Sequence, residues 1–223
     1  MRKPTAFITV GVLLFNCGCG TVPLLTTPTR YEKKVPAEYN LAAQEKKKVV
    51  VMVDNPAWVN APSSLALQLA ADLNDNLTGK LALSSKNVVS CEKVQTFRAS
   101  TPGADRLSPS QLGKAVGADL VLFAELHQFS LAQVTETQYY RGELAGKAAL
   151  FDCGSGRQLW PAAQEGKFIR VAFDVEEGDY NAANNRLAAA FAHCITRYLY
   201  DCPVAKFKIF EDKSGTGWED WHD

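Results

Sequence analysis

One acid, one imidazole and one guanidinium fall on neighbouring predicted strands and could together support chemistry. Glu125 and His127 are separated by a single residue, so an extended strand points both side chains to the same face. A following alternating segment places Arg141 on the polar face of the next strand. These three residues form a possible polar site, able to bind a small molecule or transfer a proton. A solvent-facing cluster across two strands is the alternative, and the pattern favours it.

Elsewhere the sequence offers no catalytic or metal-binding constellation. The chain has three histidines, of which His222 lies near the carboxyl end and His193 lies beside the apolar positions of a predicted helix. The cysteines and histidines lack C-x-x-C and H-x-x-x-H spacing, and the glycines form no phosphate-binding loop. We therefore expect no catalytic residue, no metal ligand and no cofactor, and a protein that is not an enzyme.

Four cysteines belong to the region that is predicted to fold. They are Cys91, Cys153, Cys194 and Cys202. In an oxidising compartment, four cysteines allow three complete disulfide pairings, and the sequence does not choose among them. Cys194 falls on an apolar helix stripe, where a free thiol behaves as a small hydrophobic group. The disulfide state stays open at this point.

The first 19 residues have the composition of a secretory leader. Arg2 and Lys3 precede an apolar run at residues 6–15. This run is too short for a membrane-spanning helix, which needs roughly 20 residues. Lys and Arg together number 24 in the whole chain, and Asp and Glu together also number 24. Without the two leader cations the remainder is slightly acidic, so nucleic acid is not an expected partner.

Two cysteines follow the apolar run, and the stretch resembles the lipobox of bacterial lipoproteins. In that motif a small residue precedes the cysteine that is acylated. Gly18 precedes Cys19 as the motif requires, although Asn16 stands where leucine is usual. Cys17 has Leu14 at the earlier position but Asn16 directly before it. The resemblance implies lipidation at Cys19, with Cys17 as the alternative. A cleaved leader that releases a soluble secreted protein is the competing interpretation.

The lipobox resemblance also implies a location. Lipidation attaches acyl chains such as palmitate, and more than one chain gives durable membrane attachment. In lipoprotein sorting, Asp after the acylated cysteine favours the inner membrane, whereas this chain has Gly20 there. The expected location is the outer membrane, with the protein facing the periplasm.

Composition divides the chain into four predicted segments. They are a lipoprotein signal peptide (1–19), a flexible tether rich in Thr, Pro and Lys (20–48), a single domain (49–205) and an acidic mobile tail (206–223). Trp218 and Trp221 in the tail could dock on a partner, although an unbound tail is the favoured interpretation.

Hydrophobic periodicity predicts the elements of the domain. The predicted strands are Val49–Val53, Asn87–Val94, Ala118–Phe129, Tyr139–Phe151, Gln158–Trp160 and Gly166–Val175. Helices are predicted from Ser63 or Ser64, from Ser108 to Gly117, and from Asn181, whereas Thr96–Leu107 is predicted to be a loop. Alternation along the third strand places Phe129 on the face of Glu125 and His127. The order indicates an α/β (α+β) fold, a mixed sheet of about five or six strands with three packing helices.

Three motifs resemble a periplasmic lipoprotein domain. They are V-V-V-M-V-D at 49–54, S-Q-L-G-K-A-V-G-A-D-L-V-L-F-A-E-L at 110–126, and G-R-Q-L-W at 156–160. The domain is shared by the curli-secretion lipoprotein and penicillin-binding-protein activator families and by the amino-terminal domain of the Tol-system β-propeller protein. The resemblance implies a module that works in complexes. No long amphipathic hairpin that could add strands to a membrane barrel is visible, so channel activity is not implied.

The sequence thus predicts a lipid-anchored, non-catalytic module that binds an envelope protein partner in transport, secretion or cell-wall assembly. The alternative is a periplasmic small-molecule-binding protein or enzyme that uses Glu125, His127 and Arg141. The strand Gly166–Val175 is predicted to lie at a sheet edge, because its charges discourage uncontrolled pairing. The domain alone is predicted to be a monomer.

Overall fold

Strands rich in Val, Leu, Ala and aromatic residues form a six-stranded mixed sheet in the described part of the chain. The computed structural model describes residues 33–134, 138–163, 165–209 and 211–213. The sheet contains β2 (Val49–Asp54), β3 (Val88–Val89), β4 (Leu120–Gln133), β5 (Tyr139–Asp152), β6 (Gln158–Trp160) and β7 (Lys167–Glu177). β3 and β4 flank β2 in parallel, and β5 pairs antiparallel with β4, β6 and β7. The predicted fold class is confirmed.

Helices cover both faces of this sheet. They are α1 (Ser63–Gly79), α2 (Cys91–Ser100), α3 (Pro109–Ala115), α4 (Tyr180–Thr196) and the single turn α5 (Val204–Phe207). Leucines of α1 and the apolar stripe of α4 join one face of the sheet in the larger core. Val94 of α2 and Leu112 of α3 join the other face in a smaller core with Val50 and Met52. The described chain is therefore layered as helices, sheet and helices.

Local signals at α3 act as the sequence predicts. The Ser108 side chain accepts a hydrogen bond from the Gln111 N–H, and the Gln111 side chain accepts one from the Ser108 N–H. Pro109 occupies the first helical turn, where its missing N–H costs nothing. Gly117 has a φ of +79°, the left-handed conformation that ends the helix and directs the chain into β4.

The sequence predicts a strand at Asn87–Val94 and a loop at Thr96–Leu107. Both predictions are wrong where the helix α2 (Cys91–Ser100) replaces them. β3 is only two residues long, and α2 begins at Cys91. Val94 and Phe97, three residues apart, lie on one side of this helix and pack in the smaller core. The single apolar stripe is narrow because the rest of α2 is polar, and this composition resembles that of a loop.

A bulge in β4 overturns the predicted position of Phe129. Leu126 pairs with Gly146 and Gln128 pairs with Ala145, so His127 is an extra residue on its strand. One extra residue reverses the alternation beyond it. Phe129 therefore lies opposite Leu144 and packs against the larger core, away from the face of Glu125.

The folded region begins before residue 49 and continues beyond residue 205. β1 (Lys34–Val35) pairs with β8 (Cys202–Pro203), and Leu41 is fully buried. At the other end, Asp212 bridges to Val171 on the outer side of β7. Part of the predicted tether and part of the predicted tail thus belong to the domain. Cys17, Cys19 and residues 20–32 lie outside the described residues, as do Trp218 and Trp221.

Candidate functional site

Glu125 and His127 lie together on an open face of β4. The Glu125 carboxylate Oε2 is 3.4 Å from the His127 Nε2, and the two side chains are 38% and 36% exposed. Across the β4–β5 ladder, Glu125 is opposite Lys147. The bulge at His127 keeps both side chains near each other but leaves them accessible to water. This is an exposed polar cluster, and exposed polar contacts of this kind contribute little to stability because water screens them.

Arg141 is not part of this cluster. It lies opposite Ala132, six residues along β5 from Lys147. At about 3.3 Å per residue, this separation is about 20 Å. The structure therefore brings Glu125 and His127 together, places Lys147 beside Glu125, and leaves Arg141 in a separate exposed position. Sequence alternation gives the face of each residue but not the cross-strand register. For this reason the sequence does not predict that Lys147 lies opposite Glu125.

A shallow hollow of about 130 Å³ adjoins Glu125. Phe123 and Phe151 contribute its apolar surface, and Lys147 and Glu165 contribute charge. Neither His127 nor Arg141 lines it. The alternative interpretation, an enzyme or small-molecule receptor, needs these groups in one restricted pocket. The described geometry does not assemble the three predicted residues in that way.

His193 has a structural position between three elements. Its Nδ1 is 2.9 Å from the Lys80 Nζ, and its Nε2 is 2.6 Å from the Lys206 carbonyl oxygen. A carbonyl only accepts, so Nε2–H donates to Lys206 and Nδ1 accepts from the Lys80 ammonium. Burial, together with the positive charge of Lys80, lowers the pKa of His193 to about 4. The imidazole is therefore neutral at pH 7 and links the ends of α1 and α4 to the segment after β8.

Arg197 holds the carboxyl-terminal segment onto α4. Its side chain is 1% exposed, and its guanidinium carbon lies 4.8 Å and 4.7 Å from the ring centroids of Tyr198 and Phe207. Its Nη1 lies 2.6 Å from the Asp212 Oδ2 and donates to the Phe207 carbonyl at 2.9 Å. A buried charge with these partners fixes two chain segments together and is unavailable to a substrate.

All four cysteines of the domain are free thiols. Burial raises the pKa of Cys153 to about 11 and that of Cys194 to about 12. Cys202 is also buried, and burial raises its pKa. These three thiols stay protonated at neutral pH and are poor nucleophiles. Cys91 is half-buried at the start of α2.

The described part of the chain contains no cluster of three or more His, Cys, Asp or Glu residues that could hold a metal ion. Within the same residues, no helix combines the length and apolar character needed to cross a membrane.

Neither a protein-family model nor a curated protein matches this chain. Solved structures to which this chain is similar include lipoprotein GNA1162 from Neisseria meningitidis, at 16% identity and a TM-score of 0.42 over 67% of this chain and 98% of that one. A PelC dodecamer from Paraburkholderia phytofirmans matches at 12% identity and 0.39, over 74% and 93%. The LpoB C-terminal domain from Salmonella enterica matches at 15% identity and 0.34, over 63% and 85%. Similarity at this level assigns no function.

Proposed function

We propose that this chain is an acyl-anchored lipoprotein of the cell envelope whose domain binds a protein partner and catalyses no reaction. The observation that carries the proposal is the leader, which ends in Gly18-Cys19 and is followed by a Thr- and Pro-rich stretch before the folded region. Acylation at Cys19 would fix the chain to a membrane, with Cys17 as the alternative attachment point. Gly20 directs the proposal to the outer membrane, facing the periplasm.

The length of chain between the proposed anchor and the domain sets the greatest distance at which the domain could stand from the membrane. Folding begins by Lys34, so residues 20–33 connect the proposed anchor to the domain. Fully extended, this connection would reach about 45–50 Å. It is shorter than the predicted tether of residues 20–48, because Leu41 and its neighbours pack on the domain. The domain would therefore work within a limited layer of the periplasm.

The described ionisable groups support a binding role rather than catalysis. Glu125 and His127 are exposed on an open face, and Arg141 lies away from them. His193 and Arg197 are occupied by contacts that hold chain segments together. A protein partner in transport, secretion or cell-wall assembly needs only a shaped surface, which such a domain supplies.

In-cell photo-cross-linking tests the binding half of this proposal. A photoreactive amino acid is placed at each of three exposed apolar positions, Trp58, Leu67 and Phe168. We expect a discrete adduct with one envelope protein from at least one position. The exposed polar residue Lys114 is the matched control and should give no such adduct. Absence of an adduct at all three positions would contradict a protein-binding role.

A further inference from the structure

One edge of the central sheet is left incomplete beside β2. β3 pairs with only Val49 and Val50 and then ends, because α2 begins two residues later. β2 continues to Asp54 with β4 on one side. On the other side, the stretch Val51–Asp54 has no strand neighbour in the described chain. This stretch is nevertheless buried at Val51 and Val53.

The hydrogen-bonding groups of that edge point away from β4. In a parallel ladder, the N–H and C=O of one residue point to the same side, and successive residues alternate. The Lys48 carbonyl accepts from the Leu120 N–H at 3.0 Å, so every second residue from Lys48 faces β4. Val51 and Val53 fall between these positions and face outward. The Val51 carbonyl and both backbone groups of Val53 lie beyond the last pair with β3, and no hydrogen bond to them is found among the described residues.

A cleft lies over these groups, between α1 and α2. Its volume is about 130 Å³, and its base is the edge of β2. We call it the β2 cleft. Ala66 and Ala70 of α1 form one wall, and Cys91 and Arg98 of α2 belong to the opposite wall. Small side chains on the α1 wall leave space beside the strand. Since a single water needs 10–15 Å³, the β2 cleft can hold several waters or an apolar side chain.

Arg98 adds to the β2 cleft a second group that lacks a hydrogen-bond partner in the described chain. This group is its Nε, which is buried. A buried donor on a cationic group carries a full desolvation cost until an acceptor reaches it. A carboxylate is the acceptor that best satisfies a guanidinium, through short charge-assisted hydrogen bonds. The β2 cleft thus combines open strand groups, a small apolar wall and an unpaired cationic donor.

We propose that the β2 cleft binds a short extended segment of a partner protein, which adds to the sheet beside Val51–Val53 and places a carboxylate against Arg98. Only an extended backbone offers donors and acceptors at the spacing of a strand edge. Alternate side chains of the segment would then face the Ala66 and Ala70 wall. The backbone of the segment would supply hydrogen-bond partners to the outward-facing groups of Val51 and Val53. The assignment deepens the proposed function, on which it rests, by naming the chemistry of the partner.

Peptide binding to the full chain tests the assignment. The probe is a fluorescein-labelled blocked peptide, V-T-V-E-V, whose binding is followed by fluorescence anisotropy. We expect saturable binding that Arg98→Gln weakens at least tenfold. Arg106→Gln, at an exposed arginine outside the β2 cleft, is the matched control and should change affinity less than twofold. No saturable binding up to about 1 mM, the range of the weakest specific contacts, overturns the proposal.

Two further peptides separate strand addition from simple charge attraction. V-T-V-K-V reverses the charge that Arg98 should meet, and it should bind at least tenfold more weakly. An N-methylated V-T-V-E-V keeps the carboxylate but cannot donate backbone hydrogen bonds, and it should also lose binding. Equal binding by the N-methylated peptide contradicts strand addition. Ala66→Trp, at a half-exposed wall position, should fill the β2 cleft and block binding without removing Arg98.

The outcomes also separate this inference from the proposed function. If the peptide fails but photo-cross-linking at Trp58 or Phe168 captures an envelope protein, the domain binds a partner through another surface and the β2 cleft assignment is wrong. If peptide binding and every cross-link fail, both the β2 cleft assignment and the proposed binding function are wrong. If a cross-linker at Leu67, on the rim of the β2 cleft, captures a protein and Arg98→Gln abolishes the adduct, both stand.

Discussion

The buried ionisable residues His193 and Arg197 hold segments of the folded chain together. His193 is the clearest example, because its ring is held between the Lys80 ammonium and the Lys206 carbonyl. Its pKa of about 4 lies below the ordinary value of 6.5. Between these two pH values the unfolded chain binds a proton that the folded chain does not. Stability should therefore fall as pH drops from 6.5 toward 4.

This linkage predicts the effect of replacing His193. From pH 7 to pH 4.5, the imidazole should account for about 2–3 kcal/mol of lost unfolding free energy, an order-of-magnitude figure. His193→Gln removes the titrating group, so the variant should lose that much less stability over the same interval. Urea unfolding of both proteins at the two pH values measures the difference. The same pH dependence in both proteins would show that His193 is not buried as a neutral ring.

At the scale of elements, the bulge at His127 decides which side of β4 meets the core. Gly146 lies opposite Leu126, next to this bulge. A Cβ at Gly146 would contact the Glu125 backbone carbonyl and lie 3.1 Å from the Phe191 ring. Backbone cannot move aside as a side chain can, so the two strands would have to separate.

Gly146→Ala should therefore destabilise the protein by about 1–3 kcal/mol, the usual cost of overpacking. Gly79→Ala is the matched control, since nothing lies within 4 Å of its new Cβ. That change should be neutral or stabilise by up to about 1 kcal/mol, because alanine reduces the entropy of the unfolded chain. Urea unfolding compares the two variants. Equal stability of both would mean that β4 and β5 are not in this register.

The sequence predicts those elements whose signals are local. α3 has a capping serine, a proline in its first turn and a terminating glycine, and all three act as predicted. The bulge at His127 has no local signal, so Phe129 is placed on the wrong face by simple alternation. α2 is missed because only Val94 and Phe97 mark its buried side.

The candidate site was less predictable than the fold. Glu125 and His127 share a strand, so their proximity follows from alternation, whereas Lys147 and Arg141 depend on the β4–β5 register. Arg98 and the edge of β2 meet only because β3 is two residues long. Such contacts join distant parts of the chain, and hydrophobic periodicity carries no information about them.

At the scale of the whole molecule, the exposed edges of the sheet bear on assembly. β7 lies at an edge, as predicted, and its Ala172 N–H donates to the Glu211 carbonyl. The Lys213 N–H donates to the Arg170 carbonyl on the same strand. The carboxyl-terminal segment thus occupies part of this edge, and the charged pair of Arg170 and Glu143 further discourages strand pairing.

We therefore predict that the compact unit Lys34–Asp223 is a monomer at micromolar concentration and that assembly requires a separate partner. Sedimentation velocity over a dilution series measures this. A single species with the mass of one chain agrees with the prediction. A homo-oligomer that persists on dilution contradicts it and indicates that copies of this chain are themselves the partner.

Membrane attachment through the leader cysteine is the central claim, and metabolic labelling with a clickable fatty acid tests it most directly. Wild type, Cys17→Ala, Cys19→Ala and the double variant are expressed in the same bacterial host, and the label on each is measured. We predict full labelling of wild type and Cys17→Ala and none of Cys19→Ala or the double variant. Label that survives only when Cys17 is intact moves the anchor to Cys17. An unlabelled wild type, or equal label on wild type and the double variant, contradicts the account.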